Sequence, residues 1–179
     1  MSVQIRRRTR RPLGWALLIA GAMLLLALAL FYAAQLLPAV VAVPNTWFYA
    51  LSEIALVVAF ISFGTSGTVG GLGRLAFAAG ATGWLIIAAT RLISGAPGVF
   101  GTVGLTLALL GTLIGGVVVF ALHALRRPAR IAVLLTFLVG GLYLLNTEVS
   151  IVPGALSGAV AALFALGLLV SGTLVVRGR

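Results

Sequence analysis

Residues 47–63 read WFYALSEIALVVAFISF, and this stretch sets the class of protein. Its only charged side chain is Glu53. A helix of about 20 residues crosses the roughly 30 Å hydrocarbon core of a bilayer, so a run of this length and apolarity predicts a membrane-spanning helix. Because an ion is costly in hydrocarbon, the Glu53 carboxylate needs a partner, hydration or a proton.

Five further apolar runs lie along the chain. Together they predict six spans, at residues 13–34, 47–63, 75–93, 100–125, 131–146 and 154–176. The 179-residue chain is 62% hydrophobic and 8% charged, whereas a soluble domain carries about 25% charged residues. The composition excludes a soluble fold. It predicts an all-α, polytopic integral membrane bundle of six transmembrane helices.

Arginine placement predicts the orientation of this bundle. All twelve basic residues are arginine, and six crossings put all of them except Arg91 on one side: Arg6, Arg7, Arg8, Arg10, Arg11, Arg74, Arg126, Arg127, Arg130, Arg177 and Arg179. Basic loop residues are retained in the cytoplasm, which predicts cytoplasmic termini. Residues 1–12 are then a basic cytoplasmic segment, 13–176 the transmembrane domain and 177–179 a cytoplasmic end. The first apolar run is too long for a signal peptide, so we expect it to be a retained span.

The net charge of +10 would suggest nucleic acid in a soluble protein. Here the arginines flank spans, so anionic lipid headgroups at the cytoplasmic face are the predicted partner, at about 1 kcal/mol per residue. Nucleic acid is not predicted. An arginine-only basic set with an alanine, glycine and leucine bias suggests a GC-rich bacterial genome, and hence a bacterial cytoplasmic membrane.

Glu53 and Arg91 are the leading candidate site residues. Glu53 lies seven residues into the second span, which is roughly 10 Å at 1.5 Å per residue. The third span runs back outward and ends near Arg91, whose long side chain can reach inward. We expect the two to make contact, either as a structural ion pair or as a site for a proton, an ion or a polar substrate. Arg91 can alternatively extend to the headgroups.

Other polar groups extend this candidate site. Trp84 falls near mid-membrane, where its indole N–H needs a polar partner. The fifth span carries a polar stripe at helical spacing that leads toward Glu148: Thr136, Gly140, Tyr143 and Thr147. The predicted binding residues of an outward-facing site are Glu53, Arg91, Trp84, Tyr143 and Glu148. The commoner alternative is that the threonines bond their own helix and that Tyr143 belongs to the interfacial belt.

Small residues mark candidate packing faces in the fourth and sixth spans: Gly104, Gly111, Gly115, Gly154 and Gly158. Small side chains let helix backbones approach closely, which supports helix association in lipid. Packing within the chain is favoured over a seam between copies.

Catalytic chemistry is not predicted. The chain has no cysteine, aspartate or lysine and a single histidine, His123. It therefore lacks the residues for a thiol nucleophile, a lysine Schiff base or a metal site made only of protein ligands. We predict no enzyme activity, cofactor or metal.

Two functions remain. The first is an accessory or structural subunit that packs against another membrane protein or a second copy. The second is a small transporter or channel with its site at Glu53 and Arg91. A possible repeat, which superposes residues 74–98 on 130–154, fits the second but is equally explained by shared composition. A single deep acid and no mid-span proline favour the first.

Overall fold

A computed structural model describes residues 7–36, 46–94, 99–151 and 153–178. The regular secondary structure of these residues is entirely helical, in six α-helices: α1 Arg7–Leu36, α2 Thr46–Gly64, α3 Gly70–Ser94, α4 Val99–Ala121, α5 Arg127–Val149 and α6 Gly154–Arg177. Each is long and apolar enough to cross a membrane. The predicted all-α, six-helix membrane bundle is confirmed.

The helices differ from the predicted spans mainly at one end of the bundle. α1 begins at Arg7 and includes Pro12, which was predicted to lie outside the span. Pro12 is close to the helix start, so the hydrogen bond that it removes is not in the middle of the span. α3 begins at Gly70, not residue 75, and α5 begins at Arg127, not 131. Pro128 fits the first turn of α5, where its missing N–H has no intrahelical partner to lose.

The end of α4 was also predicted wrongly, because the helix stops at Ala121 and not at residue 125. His123 takes a left-handed backbone conformation with φ of 53°. Its ring Nδ1 lies 2.9 Å from the carbonyl oxygen of Ala121. Helix ends leave carbonyls without intrahelical partners, so the only histidine of the sequence serves to end this helix.

The six described helices close into a ring. Each packs against its neighbour in the chain, and α6 packs against α1. Short connections at residues 65–69 and 122–126 make the helices that they join antiparallel. One end of the ring carries exposed arginines, among them Arg74, Arg127 and Arg177, and is called the arginine face. The opposite end, where α2 begins and α3 and α5 end, is called the distal face.

Glycines bring α3 and α4 together. A side chain at Gly111 would collide with the backbone of Gly80, and one at Gly83 would meet the backbone of Gly104. Gly115 lies against the ring of Phe77. The predicted packing glycines of α4 therefore pack within the chain, as small residues in membrane helices do. Their partners on α3, Gly80 and Gly83, were not identified from the sequence.

Glycines also bring α1 and α6 together. Side chains at Gly14 and Gly172 would each meet the other helix's backbone within about 3 Å. Gly158 lies beside the hydroxyl of Tyr32 in α1. Gly154 begins α6, but what surrounds it lies outside the described residues. The packing of α1 against α6 closes the ring.

Aromatic side chains fill the middle of the ring. Phe60 of α2 stacks on Phe137 of α5 at 5.4 Å between ring centroids, and Phe63 stacks on Phe77 of α3 at 4.9 Å. All four are at most 1% exposed. Because α2 and α5 are not adjacent in the ring, their contact crosses its interior. These four buried rings, Phe60, Phe63, Phe77 and Phe137, lie in the centre of the ring on the arginine-face side of Glu53 and are called the aromatic column.

Candidate functional site

Glu53 and Arg91 form an ion pair at the distal end of the aromatic column. Nε of Arg91 donates to Oε1 of Glu53 at 2.9 Å, and Nη2 lies 2.7 Å from the same oxygen. The exposed fraction is 25% for the Arg91 side chain and 5% for that of Glu53. The predicted contact is present, and Arg91 reaches inward to make it.

The pair is placed by a stripe along one face of α2. Tyr49, Glu53, Leu56, Phe60 and Phe63 recur at intervals of three and four residues, which puts them on one side of a helix. On α3 the matching stripe has a period of seven residues: Phe77, Trp84 and Arg91. The faces that build the aromatic column therefore also carry the ion pair. This register was not predicted from the sequence, although the spacing of these residues indicates it.

Tyr49 is the site residue that the sequence analysis did not name. The guanidinium carbon of Arg91 lies 5.0 Å from the centroid of the Tyr49 ring. A cation over an aromatic face is attracted by the ring quadrupole, more strongly where water is excluded. Tyr49 thus helps to hold the guanidinium beside the carboxylate.

A small cavity of about 10 Å³ lies next to the ion pair. The residues that line it come from five helices, α1, α2, α3, α5 and α6: Leu24, Tyr49, Ser52, Glu53, Leu56, Trp84, Tyr143 and Phe164. Oε2 of Glu53 and Nε1 of Trp84 are buried without a hydrogen-bond partner among the described residues. The site therefore offers one acceptor and one donor beside a space of the size that a single water molecule needs.

Ser52 is engaged elsewhere. Its hydroxyl donates to the carbonyl oxygen of Ala20 at 2.8 Å and links α2 to α1. On the other side of the ring, Nδ2 of Asn146 donates to the Ser157 hydroxyl at 2.8 Å and links α5 to α6. These hydrogen bonds hold neighbouring helices of the ring together.

Most of the predicted polar stripe on α5 does not reach the site. Thr136 shares a 2.9 Å hydrogen bond with Ser171 of α6, and Thr147 bonds the carbonyl of Tyr143 in its own helix at 2.8 Å. Tyr143 lines the cavity and stacks on Phe164 at 5.6 Å between centroids. The side chain of Glu148 lies outside the described residues. The structure brings together Glu53, Arg91, Trp84 and Tyr143 of the predicted set.

The described residues hold no cluster of three or more side chains suited to a metal ion. No protein-family model, curated protein or solved structure matches this chain. Function has to be inferred from the residues themselves.

Proposed function

We propose that this protein is a non-catalytic integral membrane protein that serves as an accessory or structural subunit of another membrane protein. The observation that carries this proposal is the filled interior. Aromatic side chains meet across the ring, and the cavity at the ion pair measures about 10 Å³. Ligand sites for small molecules are typically of several hundred Å³. Such a protein acts through its outer surface.

In this proposal the Glu53–Arg91 ion pair has a structural role. It joins α2 to α3 through a carboxylate that is almost fully buried. A buried ion pair contributes little net stability, but breaking it leaves an uncompensated charge. Its role is to fix how these two helices pack.

The outer furrow between α4 and α5 is the proposed surface for the partner. Its volume is about 210 Å³, and it is lined by Thr102, Leu105, Thr106, Leu109, Leu144 and Leu145. Thr102 and Thr106 are exposed and four residues apart, the spacing that admits a neighbouring helix. The Thr106 hydroxyl donates to the Thr102 carbonyl at 2.9 Å, so it needs no partner from lipid. We propose that an apolar helix of a second membrane protein docks here.

Copurification tests this function. The tagged protein is extracted from its native membrane in mild detergent, and native mass spectrometry gives the composition of the complex. The expected result is a complex of fixed stoichiometry that Thr106→Leu dissociates and Thr82→Leu, at an exposed threonine of α3, leaves intact. A complex made of copies of this chain would assign the furrow to self-association. A lone monomer in wild type would overturn the proposal.

We further propose that the protein lies in a bacterial cytoplasmic membrane with its arginine face in the cytoplasm. The positive-inside tendency supports this orientation. Since the chain has no cysteine, Thr65→Cys and Ile151→Cys provide single labels at the two ends of the ring. An impermeant thiol reagent added to intact cells should label only Ile151→Cys, and labelling of only Thr65→Cys would reverse the orientation.

A small transporter or channel is the second candidate. The unpartnered Glu53 Oε2 and Trp84 Nε1 beside the cavity favour it, because polar groups inside a membrane protein mark ion and proton pathways. Proteoliposomes that carry a pH-sensitive dye test it. Proton flux above that of protein-free vesicles, abolished by Glu53→Gln, would establish transport and displace the subunit proposal.

A further inference from the structure

A second, larger groove runs between α5 and α6 on the outside of the ring. Its volume is about 390 Å³, and its lining is almost wholly apolar: Pro128, Ile131, Ala132, Leu135, Thr136, Val139, Leu163, Gly167 and Val170. The hydroxyl of Thr136 is already bonded to Ser171. Leu135, Leu163 and Val170 are each more than half exposed. The groove therefore offers a hydrocarbon surface that opens to the bilayer.

Two arginines, Arg127 and Arg177, lie at one end of the helices that form this groove. On α6 the groove residues Leu163 and Val170 are seven apart, and the next position on that face is Arg177, the last residue of the helix. On α5 the exposed Arg127 lies four residues before Ile131 and shares its side of the helix. Because α5 begins and α6 ends at the arginine face, Arg127 and Arg177 lie at the same end of the two helices that form the groove.

These arginines have no acidic partner near them in the chain. The sequence has two acidic residues, Glu53 and Glu148. Glu53 is committed to Arg91 at the distal face, and Glu148 is next to the last residue of α5, at the end of the helix opposite Arg127. The start of α5 also has no side-chain cap, and uncapped helix N-termini favour anions. No acidic side chain of the sequence lies near the start of α5 or the end of α6, so an anion from another molecule is favoured at this end of the groove.

We infer that the α5–α6 groove binds one anionic phospholipid, with an acyl chain along the groove and its phosphate between Arg127 and Arg177. Arginine is suited to this because its planar guanidinium binds phosphate oxygens in pairs. An apolar helix would fill the groove but bring no charge to the arginines, so the charge pattern favours the lipid. The α5–α6 groove is a different surface from the α4–α5 furrow, so lipid binding here does not depend on the proposed function.

Native mass spectrometry with defined lipids tests this site. The purified protein is exchanged into micelles that contain phosphatidylglycerol or phosphatidylcholine with the same acyl chains. The expected result is one retained phosphatidylglycerol, bound roughly tenfold or more tightly than phosphatidylcholine. The double variant Arg127→Gln/Arg177→Gln should lose this preference, and Ala132→Phe, which fills the groove, should lower retention of both lipids. Arg74→Gln, on the same face but across the ring, is the matched control and should behave as wild type.

A second readout separates lost binding from misfolding. Phosphatidylglycerol should raise the Tm of the wild-type protein and of Arg74→Gln, and should not raise the Tm of the double variant, whose Tm in phosphatidylcholine should equal that of wild type. Equal retention of the two lipids by wild type would overturn the inference, as would unchanged retention in both groove variants. A polypeptide that copurifies and is displaced by Ala132→Phe would also overturn it and assign the groove to a protein.

Discussion

Replacing Arg91 with methionine should destabilise the protein by about 3 kcal/mol, because Glu53 then lies inside the ring without a cation. The 2.7 Å contact corresponds to a Coulomb attraction of about 6 kcal/mol at an effective dielectric constant of about 20. Desolvation of the two ions offsets most of this gain, at several kcal/mol per ion. Losing one partner of a buried pair costs about 3–5 kcal/mol. The 25% exposure of the Arg91 side chain places the expected cost at the lower end.

A double-mutant cycle isolates the interaction. Glu53→Gln should cost only about 1 kcal/mol, because the freed guanidinium can extend to the headgroups of the distal face. The double variant should also cost about 1 kcal/mol, since it leaves no buried charge, so the coupling is about 3 kcal/mol.

Equilibrium unfolding in mixed micelles with a denaturing detergent, followed by far-UV circular dichroism, gives the four free energies of unfolding. The ion-pair reasoning is refuted if Arg91→Met stays within about 0.5 kcal/mol of wild type. It is equally refuted if the cost of the double variant equals the sum of the two single costs.

Two pairs of substitutions test the glycine contact between α3 and α4 and the packing of the aromatic column. Gly111→Ala should destabilise the protein by about 1–3 kcal/mol because its Cβ meets the Gly80 backbone. Gly71→Ala, with open space around it, should leave the stability unchanged or raise it by up to about 1 kcal/mol. The same unfolding assay compares the two variants, and equal effects would contradict the close contact between α3 and α4. Phe137→Ala should cost about 3–5 kcal/mol through the cavity that it leaves. Leu138→Ala, at a side chain that is 47% exposed, should cost clearly less, and a similar loss in both would argue against a packed column.

The positions of the spans could be predicted because the bilayer enforces them. Each crossing needs an uninterrupted apolar helix, so composition alone locates it. The ends could not be predicted in the same way. Outside the hydrocarbon, glycine, proline and arginine are all tolerated in a first helical turn, as at Gly70 of α3 and Arg127 of α5. The predicted ends stop where the hydrophobic run stops, while the helices continue.

Part of the candidate site could also be read from the sequence. The contact between Glu53 and Arg91 follows from their similar depth in adjacent antiparallel spans. The aromatic column was missed because apolar residues cover every side of a membrane helix, which hides the inward face unless a stripe such as Tyr49 to Phe63 is traced by its period. The packing of α1 against α6 could not be predicted, because it depends on which face each helix turns toward the other. The positions of Gly14 and Gly172 in the sequence do not show those faces.

The closed interior can be tested by cysteine accessibility. The sequence contains no cysteine, so Ser52→Cys and Ser171→Cys each place a nearly isosteric thiol at a position that is at most 2% exposed. Thr65→Cys, in the exposed connection between α2 and α3, is the reactive control. A water-soluble thiol reagent, applied to both sides of the membrane, should modify Thr65→Cys and leave the two interior thiols unmodified. Labelling of Ser52→Cys and Ser171→Cys at the rate of the control would reveal a water-filled path through the ring and contradict a protein that acts only through its outer surface.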